Sequence, residues 1–254
     1  MGYGSDKKNQ IKIMINMLRT FVYKLLNKSA KKLKGQAYQI DPCISLTAIL
    51  AIGLRRLSGF TRSIIRGESW RKKVFFGRNV DLRSRKLIHI GRGVTLGKEV
   101  LIDGLSNEGV HLGDHVNIGD FSRIEASGTI TKLGVGVRIG SNSSVGSFSF
   151  IGGAGGVLIG DDVIMGQFVS FHPANHNFDQ VDISIRAQGF SQQGIVVEDD
   201  CWIGAKVTFL DGAHVGKGCV IAAGAVVRGV IPPYSIAGGI PAKVIKSRLE
   251  STAS

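Results

Sequence analysis

The stretch VEDDCWIGAKVTFLDGAHVGKGCVIAAGAVV, residues 197–227, repeats every six residues. A large apolar residue opens each hexad, and a small or thin residue follows four places later. The first set is Val197, Ile203, Phe209, Val215, Ile221 and Val227, and the second is Cys201, Val207, Ala213, Cys219 and Ala225. Strands alternate with a period of two and helices with a period of about 3.6, so a period of six predicts short strands joined by turns and wound as a solenoid.

The same hexads run from about residue 74 to residue 231, with slips in register near residues 108–111, before Leu133, after the hexad at Ile151 and after Phe171. Three hexads close one triangular coil, so the sequence predicts an all-β solenoid of about seven coils. The 35 glycines fit a fold with many tight turns. Cys201 and Cys219 lie eighteen residues apart and are expected to stack inside the solenoid as small core residues.

The repeat is interrupted once at length, over residues 172–196, and a long irregular loop inside a compact repeat is more often functional than accidental. This excursion contains His172 and His176. Beyond Val227 the pattern stops at Pro232 and Pro233, which cannot donate to a strand ladder. We therefore expect residues 232–254 to form a turn and a short terminal helix or tail.

Residues 1–73 do not follow the period of six and hold most of the positive charge. Residues 1–86 carry 20 Lys and Arg against 4 Asp and Glu, which leaves 12 against 15 for the remainder. Within residues 1–73, apolar residues recur at helical spacing among the cations, which predicts a basic amphipathic helix. They are Ile11, Ile15, Leu18, Val22, Leu25 and Leu26.

Two interpretations of this N-terminal helical segment stay open. It either packs as a helical subdomain on the end of the solenoid, or it lies in a membrane surface with its cations on anionic head groups. The apolar run at residues 44–54 is too short to cross a bilayer, and no cleavage site for a signal peptide is present at the start. Binding of nucleic acid is not expected, because no aromatic platform or binding motif accompanies the charge.

Three cysteines do not make a disulfide framework, which favours a reducing compartment. The expected localisation is cytoplasmic, with peripheral contact to the inner face of the membrane through residues 1–73 as the open alternative.

The ordered set of hexads, the excursion with HNFD at residues 176–179, CWIGAKV at 201–207, IAAGAVV at 221–227, IPPYS at 231–235 and AGGIPAKVI at 237–245 resembles the hexapeptide-repeat acyltransferases. Within them, it is most similar to the sugar O-acetyltransferases that act on maltose, galactosides, nodulation factors and surface polysaccharides. The resemblance implies a left-handed parallel β-helix, a homotrimer with active sites between subunits, and acetyl-CoA as donor.

The resemblance also implies a histidine general base in the excursion, because a sugar hydroxyl must lose its proton as it attacks a thioester. His176 begins His-Asn-Phe-Asp, which is similar to the family's His-Pro-x-Asp with Asn in place of Pro. His172 precedes a proline but lacks the aspartate three places later. We favour His176 and keep His172 as the second candidate, with Asp179 and Asp182 as groups able to orient the imidazole.

Acetyl-CoA is expected along a groove between neighbouring subunits. The resemblance places the main chain of Ala205 and Ala223 on the pantetheine arm and Trp202 in the same groove. It assigns basic contacts near the phosphates to Lys243 and Lys246, and Arg228 stands where the family often has threonine, one place before its usual lysine.

The predicted function is transfer of acetyl from acetyl-CoA to a hydroxyl of a saccharide, such as a nucleotide-linked or lipid-linked precursor of a surface polysaccharide, with no metal ligand assigned. Three alternatives stay open. The first is sugar N-acetylation. The second is a zinc enzyme of the γ-carbonic-anhydrase type, with His111, His115, His172 and His176 as candidate ligands. The third is a non-catalytic trimer that binds a partner or a membrane through its basic N-terminus.

Overall fold

A computed structural model describes residues 10, 14, 17, 20–28, 40–41, 43–128 and 131–249 of the 254-residue chain. The chain divides into two compact units, Met1–Ser58 and Gly59–Ser254.

In the first unit, residues 20–28 are helical, as are Met14 and Met17. The backbone N–H of Ile40 donates to Oδ1 of Asn27 at 2.8 Å. Helical structure was predicted here from the spacing of several residues, of which Ile11, Ile15 and Leu18 lie outside the described residues.

The long helix α1 spans Leu46–Ile65 and has a defined cap at each end. At its start, the Ser45 hydroxyl accepts the N–H of Ala48 at 3.1 Å, which satisfies one of the donors left over at a helix N-terminus. At its end, Gly67 adopts φ +89°. The N–H groups of Gly67 and Glu68 donate to the carbonyl oxygens of Ile64 and Ser63, which is a Schellman motif.

The second unit is a parallel β-helix with three sheets. The first sheet contains, in spatial order, β1 (Phe75–Phe76), β4 (Thr95–Leu96), β7 (Asn117–Ile118), β10 (Ser144–Val145), β13 (Ile164–Met165), β18 (Trp202–Ile203), β21 (Val220–Ile221), β24 (Ser235–Gly239) and β25 (Ala242–Ser247). The second contains β2 (Asp81–Arg83), β5 (Leu101–Asp103), β8 (Arg123–Glu125), β11 (Phe150–Gly152), β14 (Ser170–His172), β19 (Thr208–Leu210) and β22 (Val226–Val227). The third contains β3 (Ile88–Ile90), β6 (Val110–Leu112), β9 (Val137–Ile139), β12 (Val157–Ile159), β17 (Ile195–Val197), β20 (His214–Val215) and β23 (Val230–Ile231).

The chain visits the three sheets in turn, and each strand pairs in parallel with the strand one coil away, except β25. We call the turns from the first to the second sheet the first corner, those from the second to the third sheet the second corner, and those from the third to the first sheet the third corner. Short 3-10 helices span Trp70–Lys72, Arg85–Leu87 and Ile185–Gln188, and a separate antiparallel pair joins β15 (Asn175–His176) to β16 (Phe190–Ser191).

The inward residues of the hexads form the core, as the period of six predicted. The six large apolar residues of residues 197–227 are each at most 1% exposed, and the small ones are at most 2% exposed. Cys201 and Cys219 are among them and carry no disulfide. The predicted parallel β-helix of about seven coils is confirmed by the seven parallel strands of both the second and third sheets.

The register slips that the sequence showed all lie at the second corner. The connections there cover residues 84–87, 104–109, 126–136 and 153–156 and the long excursion at 173–194, with residues 129 and 130 not described. The first corner has no room for such insertions, because successive turns are stacked in contact. A Cβ added to Gly77 would lie 2.4 Å from the carbonyl carbon of Gly97.

The C-terminal segment differs from the expected turn and short helix or tail. Ser235–Gly239 forms β24, which continues the first sheet beside β21, and Ala242–Ser247 forms β25, which pairs antiparallel with β24. Pro232 therefore occupies the third corner and does not end the β-helix. Gly216 holds the equivalent position one coil earlier, and its N–H donates to the carbonyl oxygen of Ile231 at 2.9 Å. In the described chain no further strand of the third sheet follows β23, so an N–H at position 232 would have no such acceptor.

Candidate functional site at the second corner

The excursion is a folded loop held together by its own hydrogen bonds. The side-chain amide of Gln188 donates to the carbonyl oxygens of Gln180 and Ile183 at 2.7 and 2.8 Å and accepts the N–H of Gln180 at 3.0 Å. The Asn177 side chain donates to the carbonyl oxygen of Gln188 at 3.0 Å. These bonds hold together the segment that connects β15 to β16. They therefore fix the position of His176 within the loop.

The two candidate bases occupy different elements. His172 is the last residue of β14, where it pairs with Leu210, and its ring stacks on Phe150 with the centroids 5.7 Å apart. His176 lies in β15 opposite Phe190. Both are exposed. The geometry thus presents two imidazoles to solvent near one corner of the β-helix, and it does not choose between them.

The aspartates proposed to orient the imidazole, Asp179 and Asp182, are exposed. Within the part of the chain that the structure describes, no hydrogen bond or ion pair joins either carboxylate to His172 or His176. Orientation of the base by these aspartates therefore stays a prediction.

Asp211 anchors the C-terminal end of the excursion to the β-helix. The sequence interpretation missed this residue. Its Oδ1 accepts the N–H groups of Gln193 and Gly194 at 2.8 and 2.9 Å. The residue is 7% exposed, and its Oδ2 is buried without a hydrogen-bond partner among the described residues. A buried carboxylate is costly unless it is paired, so its presence at the end of the loop indicates a role in holding that loop.

An open groove of about 310 Å³ runs along the second corner beside the end of the excursion. The residues that line it include the apolar Leu158 and Val196, on neighbouring strands, and the polar His111, Arg138 and Gln193. His111 donates from Nε2 to the carbonyl oxygen of Glu108 at 2.9 Å and stacks on His89 with 4.4 Å between ring centroids. The groove therefore combines apolar, cationic and amide groups on one open surface.

Most of the residues predicted to contact acetyl-CoA lie together on the first sheet or at the first corner. Trp202 is 59% exposed on the outer face of β18. Ala205 and Ala223 follow β18 and β21 at the first corner, where the carbonyl oxygen of Ala205 accepts the N–H of Gly224 at 2.9 Å. A Cβ added to Gly204 would lie 2.5 Å from the backbone nitrogen of Ala223. A side chain is thus excluded at Gly204, and Ala205 and Ala223 carry only methyl groups, which leaves a track of nearly bare backbone in the turn that follows Trp202.

The predicted basic contacts separate into two places. Lys243 and Lys246 are exposed on β25, which pairs with β24 at the end of the same sheet. Arg228 is exposed at the second corner, directly after β22. Within one chain, the structure therefore groups the two lysines with the sheet that carries Trp202 and puts Arg228 at the corner that carries the histidines.

Three phenylalanines form an exposed stack at the first corner, which the sequence interpretation missed. The rings of Phe121, Phe148 and Phe168 stack at 4.9 and 5.1 Å between centroids, and Phe148 and Phe168 are 51% and 52% exposed. The signal was present, because each is the fourth residue of its hexad, in IGDFSR, VGSFSF and MGQFVS. The register slips between these hexads hid the common position.

Cys201 and Cys219 are hydrogen-bonded to each other inside the β-helix. The Sγ of Cys201 donates to the carbonyl oxygen of Gly216 at 3.3 Å, and its hydrogen bond with Cys219 together with burial raises the pKa of the Cys201 thiol. Among the described residues, no three His, Cys, Asp or Glu side chains are grouped so that they could hold a metal ion.

The fold and these residues define a hexapeptide-repeat β-helix with a histidine-bearing excursion. Residues 194–229 match the family described as "Bacterial transferase hexapeptide (six repeats)". The match confirms the resemblance from which the left hand of the β-helix was inferred.

Among characterised sequences, the chain is 34% identical over 179 residues to "Probable acetyltransferase Rv3034c" of Mycobacterium tuberculosis, a match that covers 70% of this chain and 56% of the relative. The chain thus spans just over half the length of that relative. It is 52% identical over 64 residues to 2,3,4,5-tetrahydropyridine-2,6-dicarboxylate N-acetyltransferase of Brevibacillus brevis, which covers 25% of this chain and 27% of the relative. Among solved structures, the N-acyltransferase AntD from Bacillus cereus is 16% identical, with a TM-score of 0.47 over 70% of this chain and 86% of that one.

Proposed function

We propose that this protein is an acetyl-CoA-dependent O-acetyltransferase whose acceptor is a hydroxyl of a saccharide. The observation that carries the proposal is the excursion of a transferase-type hexapeptide β-helix. It is a self-bonded loop, anchored at Asp211, that presents exposed histidines and whose end at Gln193 and Gly194 lines an open groove. The name of the Mycobacterium tuberculosis relative, a probable acetyltransferase, supports the reaction class.

In the proposed reaction, the imidazole of His176, or else of His172, takes the proton from the acceptor hydroxyl as its oxygen bonds to the thioester carbonyl carbon. The tetrahedral intermediate then collapses with cleavage of the carbon–sulfur bond. The imidazolium returns its proton to the leaving sulfur, so the products are the acetyl ester and CoA. Exposure of both rings leaves them accessible to a substrate.

Acetyl-CoA fits the surface formed by the first sheet and first corner. The track at Ala205 and Ala223 has no side chain beyond a methyl group and suits the thin pantetheine arm, with Trp202 beside it. Lys243 and Lys246 supply positive charge for the phosphates. Arg228 would serve an anionic group at the second corner in the same or a neighbouring subunit.

We further propose that the active form is a homotrimer with acetyl-CoA between subunits. The exposed stack of Phe121, Phe148 and Phe168 supports this assembly, because a column of stacked aromatic rings in water is an unfavourable surface for a protein that stays monomeric. Light scattering coupled to size exclusion measures the mass directly. A monomer at assay concentration contradicts the trimer without affecting the chemistry proposed for the histidines.

The decisive experiment is a CoA-release assay with acetyl-CoA and a panel of nucleotide sugars and lipid-linked oligosaccharides. Release that depends on one acceptor class, with acetyl found on that acceptor, is the expected result. Absence of release across the panel, together with no shift in melting temperature on adding acetyl-CoA, contradicts the proposal and favours a non-catalytic role.

Transfer to an amine is the second candidate, because the Brevibacillus brevis relative is named an N-acetyltransferase and a deprotonating histidine serves either nucleophile. Hydroxylamine distinguishes the two products. At alkaline pH it removes acetyl from an oxygen ester, whereas an amide keeps it.

A further inference from the structure

Helix α1 exposes its apolar side chains. Leu50, Leu54 and Leu57 are 66%, 66% and 58% exposed, and their spacing places them on one helix face. Ile64 and Ile65 continue this row at 37% and 84% exposed. An amphipathic helix of a globular protein normally buries such a stripe against the core.

The end of α1 from Gly59 onward belongs to the second unit, and the residues by which it packs there are small or polar. Gly59 and Ser63 are its buried residues, and the Ser63 hydroxyl donates to the carbonyl oxygen of Val74 at 2.7 Å. Arg62 donates from Nε to the carbonyl oxygen of Phe76 at 2.9 Å. The contact with the β-helix is therefore already made by another face, and the leucine row remains without a partner in the described chain.

A second apolar row lies in the N-terminal helical stretch. Met14, Met17, Phe21 and Leu25 recur at spacings of three and four and are between 58% and 70% exposed. Tyr23, on the opposite side of the turn, is only 8% exposed. The same pattern thus occurs twice in the first part of the chain, with the apolar face outward.

The charge of these helices indicates which kind of partner binds the two apolar rows. Helix α1 has no acidic residue and carries Arg55, Arg56 and Arg62, and Lys24 and Lys28 are exposed on the preceding helical stretch. Two copies of a segment this basic repel each other. A surface that offers both hydrocarbon and negative charge complements the apolar rows and the cations together.

We infer that the leucine row of α1 and the row from Met14 to Leu25 each bind the surface of an anionic lipid bilayer. The apolar side chains enter the boundary between head groups and acyl chains, and the arginines and lysines contact anionic head groups. No helix in the described part of the chain is long and apolar enough to cross a membrane, so the contact is one of association with the surface.

The test is flotation of the full-length protein with vesicles of phosphatidylcholine alone or phosphatidylcholine mixed with phosphatidylglycerol. We expect flotation with the mixed vesicles and weakening of it by salt. The double variant Leu54→Gln/Leu57→Gln replaces two exposed side chains, which spares the core, and is expected to lower partitioning by roughly tenfold or more. Arg55→Gln is expected to lower it by about fivefold on the anionic vesicles.

Leu105→Gln is the matched control, since Leu105 is 44% exposed but lies in the β-helix unit, and it should float like the parent. Equal flotation of the leucine double variant and the parent overturns the inference. So does binding that is the same with and without phosphatidylglycerol. A change of oligomeric mass in the leucine variant without lipid also overturns it, because the row would then be an interface between copies of the chain.

Discussion

Oδ1 of Asp211 accepts the backbone N–H of Gly194 at 2.9 Å, and this bond joins the end of the excursion to the turn that follows β19. The same oxygen accepts the N–H of Gln193 at 2.8 Å. One carboxylate oxygen thus fixes the point at which the loop re-enters the β-helix, and any group carried by the loop depends on it.

Replacement of Asp211 by alanine should free the excursion. Two backbone donors lose a charged acceptor, which is expected to reduce the free energy of unfolding by about 2 kcal/mol. Asp211→Asn keeps one acceptor oxygen and should cost about half as much. Hydrogen exchange of residues 173–194, compared with that of residues 197–227, measures the effect. Equal protection of the excursion in Asp211→Ala and the parent would contradict the anchoring role.

Removal of the general base should lower turnover while leaving the fold intact. His176→Ala is expected to reduce kcat by about 10²–10⁴-fold, because the hydroxyl loses its proton acceptor. Both candidate histidines are exposed, so neither variant should unfold the protein. The matched control is His115→Ala, an exposed histidine at the third corner that should keep parental activity.

The comparison of His176→Ala with His172→Ala assigns the base. Near-normal turnover of the first and a large loss in the second would move the role to His172, at the end of β14. If both variants keep parental turnover, the proton-transfer mechanism is wrong.

The sequence predicted the β-helix because its signal is local and repeated. Each inward position of residues 197–227 needs an apolar side chain of set size, and that requirement recurs every six residues. Asp211 escaped this reasoning because its partners, Gln193 and Gly194, lie eighteen and seventeen residues earlier, at the end of an irregular loop. The sequence interpretation missed the phenylalanine stack because insertions at the second corner vary in length. Residues that the coils place in one column are therefore not separated by a constant number of residues.

The C-terminal hairpin shows a different limit. Proline was expected to end the ladder, but in the last coil a missing N–H has no cost where no further strand follows. Whether Pro232 ends the β-helix depends on how many coils follow it. The Pro232-Pro233 dipeptide does not encode that number.

Acid should remove a small part of the stability through Glu198. Its carboxylate is hydrogen-bonded to Nε2 of His214 at 2.9 Å and accepts the N–H of Lys217 at 2.8 Å. These two hydrogen bonds hold the pKa of Glu198 below its usual value. A depressed pKa contributes stability above the unfolded-state pKa, and that contribution is lost as the pH falls through the folded-state pKa. Because the Glu198 side chain is 42% exposed, the effect should be below about 1 kcal/mol.

Urea unfolding of Glu198→Gln at several pH values measures this contribution. The variant should be less stable than the parent near neutral pH, and the difference should disappear in acid as the parental carboxylate becomes protonated. A difference that grows toward acid pH would contradict the assigned sign.

A large side chain on the backbone track at the first corner should block acetyl-CoA. Ala223 is exposed, so Ala223→Phe adds a ring to the surface and leaves the core unchanged, and we expect the Kd for acetyl-CoA to rise by about tenfold or more. The control is Lys98→Phe, which introduces the same ring at the corresponding place in the hexad that begins at Leu96, several coils away. Calorimetric titration with acetyl-CoA, after light scattering has shown the same mass for both variants, gives the comparison. If both variants bind acetyl-CoA like the parent, the cofactor does not lie at Ala223, and the grouping of Trp202, Ala205 and Ala223 has another purpose.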